Sequence, residues 1–162
     1  MRALITYVSI HHGNTERIAK TIAEVLGAEM IKPWKVKPKE LLEYDLIGSG
    51  SGIYWWRHHR SLFKLGENIP PVSAKKAFLF STAGLNISWY THRRLKRELQ
   101  EKGFEIVGEF SCRGRDTNGP LARRGGLNRG HSNEKDLERA GEFAEKIQKA
   151  LEDSGPSYSR PH

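Results

Sequence analysis

Apolar and polar positions along these 162 residues switch repeatedly between short unbroken runs and a helical spacing. Ala3–Val8 is an apolar run rich in β-formers, as expected of a strand covered on both faces. After a turn at His11, His12 and Gly13, the residues Ile18, Ile22, Val25 and Leu26 fall on one helical face, and Gly27 stands where helices commonly stop. Residues 28–31 read as a second, shorter strand, and 32–39, with two prolines and four lysines, as an exposed connection. Residues 44–47 read as a third strand running into Gly48-Ser49-Gly50-Ser51-Gly52. A helix is expected over 57–65, before the Pro70-Pro71 break, and a strand over 76–81. Residues 89–102 are helical, with Leu95 and Leu99 one turn apart and Gly103 ending the run; 104–110 make a fifth strand. The last helix covers 134–152, with Leu137, Ala140, Ala144, Ile147 and Leu151 as its buried stripe.

Strands alternating with helices predict an α/β domain: a doubly wound, five-stranded parallel sheet between two helical layers. The length suits one domain, placed at 1–153, with 154–162 a disordered C-terminal tail. Ligands of such sheets bind outside the carboxyl ends of the strands, near the switch point. The loops after the first, third, fourth and fifth strands are therefore where a site is expected.

The single cysteine, Cys112, leaves no intramolecular disulfide and no cysteine-based metal cluster. No apolar run is long enough to span a bilayer, and a cytoplasmic location is expected. Lysine and arginine total 27 against 19 acids, a net charge of +8, which suits anionic partners and also simple solubility. The histidine pairs 11–12 and 58–59 lack helical ligand spacing and an accompanying carboxylate cluster, so no metal site is expected.

The first loop is Ser9-Ile10-His11-His12-Gly13-Asn14-Thr15. Amides at a helix start favour an anion, the side chains of Ser9, Asn14 and Thr15 add donors, and Gly13 lets a phosphate come close. A plain helix cap at Asn14 or Thr15 is the competing reading. Neither GxxxxGK[ST] nor GxGxxG occurs in this loop. The second loop carries Ser51, Gly52, Ile53, Tyr54, Trp55 and Trp56; three adjacent aromatics cannot all face one core, so one lies near a ligand or partner. The third holds Thr82, Ala83, Gly84 and Asn86, and the fourth region opens with Cys112, read as a buried thiol, and Gly114. Residues 112–133 form a long loop rich in glycine and arginine.

The strand followed by SIHHGNT resembles the flavodoxin phosphate loop, and GSGSGIYWW, FSTAG and the CRGRDTNGP…GGLNRGHSNEKDLERA ending resemble further segments of that family. The resemblance covers about residues 1–150 and departs from the family at His11-His12. It implies a flavodoxin-like strand order 2-1-3-4-5 and non-covalently bound FMN, used for electron transfer or flavin-dependent redox chemistry. The implied cofactor-binding set is Ser9, Ile10, His11, His12, Gly13, Asn14, Thr15, Ser51, Gly52, Ile53, Tyr54, Trp55, Thr82, Ala83, Gly84, Asn86, Cys112 and Gly114. No catalytic acid, base or nucleophile is needed for plain electron transfer, so carrier and FMN-dependent oxidoreductase both stay open. The implied partners are a redox protein or a small electron donor or acceptor, anionic to suit the basic chain. The alternative is a basic flavodoxin-fold interaction module without cofactor that contacts nucleic acid, although no recognition helix or RNP-type aromatic pair is found.

Overall fold

The computed structural model describes residues 1–10, 13–84, 88–113 and 133–155. Five strands, β1 (Ala3–Val8), β2 (Glu29–Ile31), β3 (Leu46–Gly52), β4 (Lys76–Ala83) and β5 (Glu105–Arg113), pair in parallel in the order β2-β1-β3-β4-β5. The helices are α1 (Asn14–Leu26), α2 (Arg60–Asn68), α3 (Ser88–Thr91), α4 (Arg93–Glu101) and α5 (Glu134–Asp153). Strand periodicity divides the core in two. Ile5 and Tyr7, Phe78 and Phe80, and Phe110 and Cys112 pack with Ile18, Ile22, Ala140, Ala144 and Ile147 on the α1–α5 side. Leu4, Ile47, Ala77 and Leu79 pack with Leu62, Leu65, Leu95 and Leu99 on the α2–α4 side. This is the doubly wound α/β sheet expected, with its switch point between β1 and β3.

Several element boundaries differ from the sequence reading, each for a local reason. The Gly-Ser run after residue 47 is strand, because Gly48 and Gly50 lie opposite Phe78 and Phe80 and a Cβ on either glycine would occupy the volume of the facing ring. β4 continues to Ala83, so Thr82 and Ala83 belong to the strand end, and β5 continues to Arg113, so Cys112 is a strand residue. The helix expected over 57–65 is α2 at Arg60–Asn68. His59 Nδ1 caps it, accepting the Ser61 amide at 3.1 Å, and it stops just before Ile69-Pro70, where proline disfavours continuation. The 89–102 helix bends at His92 into α3 and α4. The 32–39 connection is not simply exposed: Pro33–Lys35 and Pro38–Glu43 form 3-10 turns, and Pro33 and Val36 are buried. Most of the 112–133 loop and the tail beyond residue 155 lie outside the described residues.

Candidate functional site

α1 begins at the switch point with no side-chain cap among the described residues. Its N-cap is Gly13 at φ 65°, and among the described residues, chain neighbours aside, a Cβ added there would meet nothing within 4 Å. The other long helix differs: Asn133 closes α5 with a reciprocal capping box to Asp136. Glu16, the acid in the first turn of α1, accepts a hydrogen bond from the Tyr7 hydroxyl at 3.0 Å. Asn14 and Thr15 are buried; Asn14 Oδ1 accepts from Arg17 at 3.1 Å, and Thr15 Oγ1 lies 2.8 Å from Thr82 Oγ1. That hydroxyl pair joins the start of α1 to the end of β4, 67 residues later.

The loop after β3 is tied to the same place. Ile53 N–H donates to Thr82 O at 3.1 Å, so Ser51, Gly52 and Ile53 end beside Thr82 and Ala83. Beyond it, Tyr54 and Arg57 exchange both backbone hydrogen bonds, at 2.8 and 3.2 Å, around Trp55 and Trp56. Both tryptophans have positive φ, 51° and 66°, the type I′ hairpin pattern that Asn-Gly normally fills. Trp55 is 91 % exposed, whereas Tyr54 is half-buried beside Gly52 and burial raises its phenol above the ordinary range.

The expected residues therefore divide. Gly13, Asn14, Thr15, Ser51, Gly52, Ile53, Tyr54, Thr82, Ala83 and Gly84 gather at the carboxyl ends of β1, β3 and β4, with Ser9 and the exposed Ile10 leading out of β1. Trp55 projects from the rim. Cys112 stands opposite Thr82 in the β4–β5 register, but its side chain is fully buried in the α1–α5 core, so any part in a cleft would fall to its main chain. His11, His12, Asn86 and Gly114 lie outside the described residues.

A second polar cluster went unnoticed in the sequence. Ser51, Ser81 and Ser111 stand abreast on β3, β4 and β5, facing the α2–α4 layer. Over them His58 and His92, both fully buried, stack with centroids 4.9 Å apart. His58 Nδ1 is 2.9 Å from Ser51 Oγ, which also accepts the His59 amide at 3.0 Å. Among the described residues His58 Nε2 has no hydrogen-bond partner. His92 Nδ1 faces Glu109 Oε1 at 3.2 Å, and Lys96 Nζ holds the other carboxylate oxygen at 3.0 Å. A carboxylate only accepts, so His92 Nδ1 carries a proton, and Nε2 lies 2.7 Å from Ser81 Oγ. Burial drives His58 well below the ordinary histidine range, helped by His92. Burial also lowers His92, outweighing the opposite pull of Glu109, so its contact with Glu109 at neutral pH joins a neutral ring to a carboxylate. For His92 a signal lies in the spacing, since it continues the Leu95–Leu99 stripe back by one turn; His58 lies before α2 and has no such signal. Among the described residues no three His, Cys, Asp or Glu groups gather to hold a metal, and no helix is long and apolar enough to cross a membrane.

Comparison with known proteins gives the same outline. The family described as flavodoxin domain matches residues 4–113. An uncharacterized protein of Methanocaldococcus jannaschii is 51 % identical over 150 residues, covering 92 % of this chain and 99 % of the relative. Among solved structures, oxidised flavodoxin 2 from Bacillus cereus superposes with a TM-score of 0.70 at 22 % identity, over 93 % of this chain and 99 % of that one. A flavodoxin from the domain Archaea gives 0.68 at 19 % identity, over 94 % and 99 %.

Proposed function

This chain belongs to the flavodoxin domain family, and from that premise we propose that its strand-end cleft holds FMN and exchanges electrons with a redox partner. The observation that carries the reading is the glycine-capped start of α1 at the β1–β3 switch point, where the described residues supply no side-chain cap. The first-turn amides and the helix dipole suit a phosphate dianion. Thr15 and Thr82 add to the fit. Two hydroxyls have two protons and use one between them, which leaves the other for a further acceptor. Across the mouth, Tyr54, packed against Gly52, and the exposed Trp55 offer aromatic faces. FMN when bound supplies the one- and two-electron chemistry, and the chain supplies orientation and charge. Arg57, Arg60 and Arg113 are exposed on segments leaving β3 and β5, and cations there favour an anionic reduced flavin.

The test is a titration of purified protein with FMN, followed by the flavin absorption bands and by fluorescence quenching. Saturable binding is expected. The pair Asn14→Ala and Thr15→Ala should weaken it by about tenfold or more, as expected for lost charge-assisted hydrogen bonds. A protein that leaves added FMN unperturbed would sink the reading.

A further inference from the structure

Besides Trp55, three large aromatic side chains lie exposed at the rim. Trp56 is 53 %, Trp89 73 % and Tyr90 44 % exposed. Trp56 meets Tyr90 at 6.4 Å between centroids, Tyr90 meets Trp89 at 5.8 Å, and the Arg93 guanidinium lies 5.3 Å over the Tyr90 ring. The hairpin after β3 and the short α3 after β4 thus share one continuous aromatic edge. Contiguous exposed apolar surface rimmed by polar groups marks an interaction site rather than ordinary surface scatter.

The charge around this edge is mostly positive. Residues 46–101, to the end of α4, contain nine lysines and arginines and three acids, Glu67, Glu98 and Glu101. Arg57, Arg60, Arg93, Arg94 and Arg97 are all exposed. α5, in the opposite layer, carries seven acids against four bases. The excess positive charge is therefore concentrated on the layer next to the rim, and is not a general solubility coat.

We propose that the Trp56–Tyr90–Trp89 edge and the arginines beside it form the docking surface for an acidic electron-transfer protein. The inference rests on the redox reading above and names the partner of the same site. Trp, Tyr and Arg are the residue types that anchor protein interfaces, and basic charge around them steers an acidic surface into place. A single-stranded nucleic acid would need aromatic faces laid out as a stacking platform. Trp56 and Tyr90 cross at 83°, and Trp89 and Tyr90 at 76°, so their faces do not form one.

The experiment titrates the full chain, reconstituted with FMN, against a small acidic iron–sulfur protein. Basic cytochrome c and a fluorescent single-stranded oligonucleotide run alongside. Tightest binding to the acidic protein is expected, weakening by about tenfold or more between 50 and 300 mM salt. Arg93→Glu with Arg97→Glu, and separately Trp89→Ser, should each weaken it by about tenfold while FMN affinity stays unchanged. Absent binding, equal binding of cytochrome c, or unaffected variants would overturn the proposal, and tighter oligonucleotide binding would give the surface to nucleic acid. FMN titration reads the redox reading separately: an apoprotein that ignores FMN but binds the acidic protein keeps the docking surface and loses the cofactor.

Discussion

The imidazoles of His58 and His92 stack in the interior, 4.9 Å between centroids and 30° between planes, one from the segment before α2 and the other from the α3–α4 bend. Each reaches a serine at the end of the sheet, His58 through Ser51 on β3 and His92 through Ser81 on β4. The stack therefore joins the two segments that carry the rim aromatics to the strands beneath them. Its stability depends on both rings staying neutral, because His58 is fully buried and among the described residues no carboxylate lies close to it.

Acid should loosen this joint. Unfolded, both histidines titrate near 6.5; folded, burial lowers both. Below pH 6.5 the unfolded chain thus binds more protons than the folded one. The contribution is complete above that pH and is lost as pH falls toward the folded-state values. The slope is at most about 1.4 kcal/mol per pH unit for each ring held neutral. Urea midpoints at pH 7.5 and 5.5 measure it, and His58→Leu should flatten the dependence. An equal slope in the variant would place the acid sensitivity elsewhere.

Thr15 and Thr82 form the second joint, between the start of α1 and the end of β4. Valine keeps the shape and deletes the hydroxyl, so Thr15→Val or Thr82→Val alone leaves a buried hydroxyl without its mate, at about 1–3 kcal/mol. The double variant should cost less than the sum of the two, because no orphan remains. Chemical denaturation of the four proteins gives the coupling directly, and strict additivity would mean that the 2.8 Å contact adds nothing.

Glycines of this chain should separate by cause when replaced with alanine. At Gly50 the methyl would meet the ring of Phe80, an overpacking cost of about 1–3 kcal/mol. Gly50→Ala with Phe80→Leu should recover part of it. At Gly13 a methyl would meet nothing within 4 Å among the described residues, chain neighbours aside, and the φ of 65° resists a side chain at about 1–2 kcal/mol. Gly13→Ala should therefore be unaffected by repacking, and should weaken FMN binding more than Gly50→Ala does.

Period and punctuation were enough to read the sheet, its two helical layers and the loops that meet at the switch point. Ala3–Val8 and the last helix were recognisable because a single period dominates each. Where two signals compete, the sequence misleads. The glycines of β3 look like loop, but they are strand residues whose missing side chains make room for Phe78 and Phe80 across the ladder. That is a tertiary constraint no local window contains. His58 and His92 are hard to read for a related reason: histidine counts as polar in a periodicity, His58 lies before α2 and not on it, and the two serines that receive the rings, Ser51 and Ser81, come from different strands. Thr15 and Thr82 were both singled out, but their contact depends on strand register and not on either loop.

The Trp55–Trp56 turn tests whether local stability has been sacrificed for function. Both residues hold left-handed φ values that cost a bulky side chain about 1–3 kcal/mol each; Trp55 is almost wholly exposed, and Trp56 has its edge contact with Tyr90 as partial compensation. The type I′ turn between Tyr54 and Arg57 would be better served by Asn-Gly. Trp55→Asn with Trp56→Gly should keep the hairpin, raise stability by about 1–2 kcal/mol and leave the acid dependence set by His58 and His92 unchanged. The same change should lower FMN affinity through loss of Trp55, and binding of the acidic protein through loss of Trp56. Thermal melts and the two titrations read these effects independently. A variant that gains stability and keeps both affinities would show that the tryptophans serve neither ligand, and one that loses stability would show that the turn is not strained.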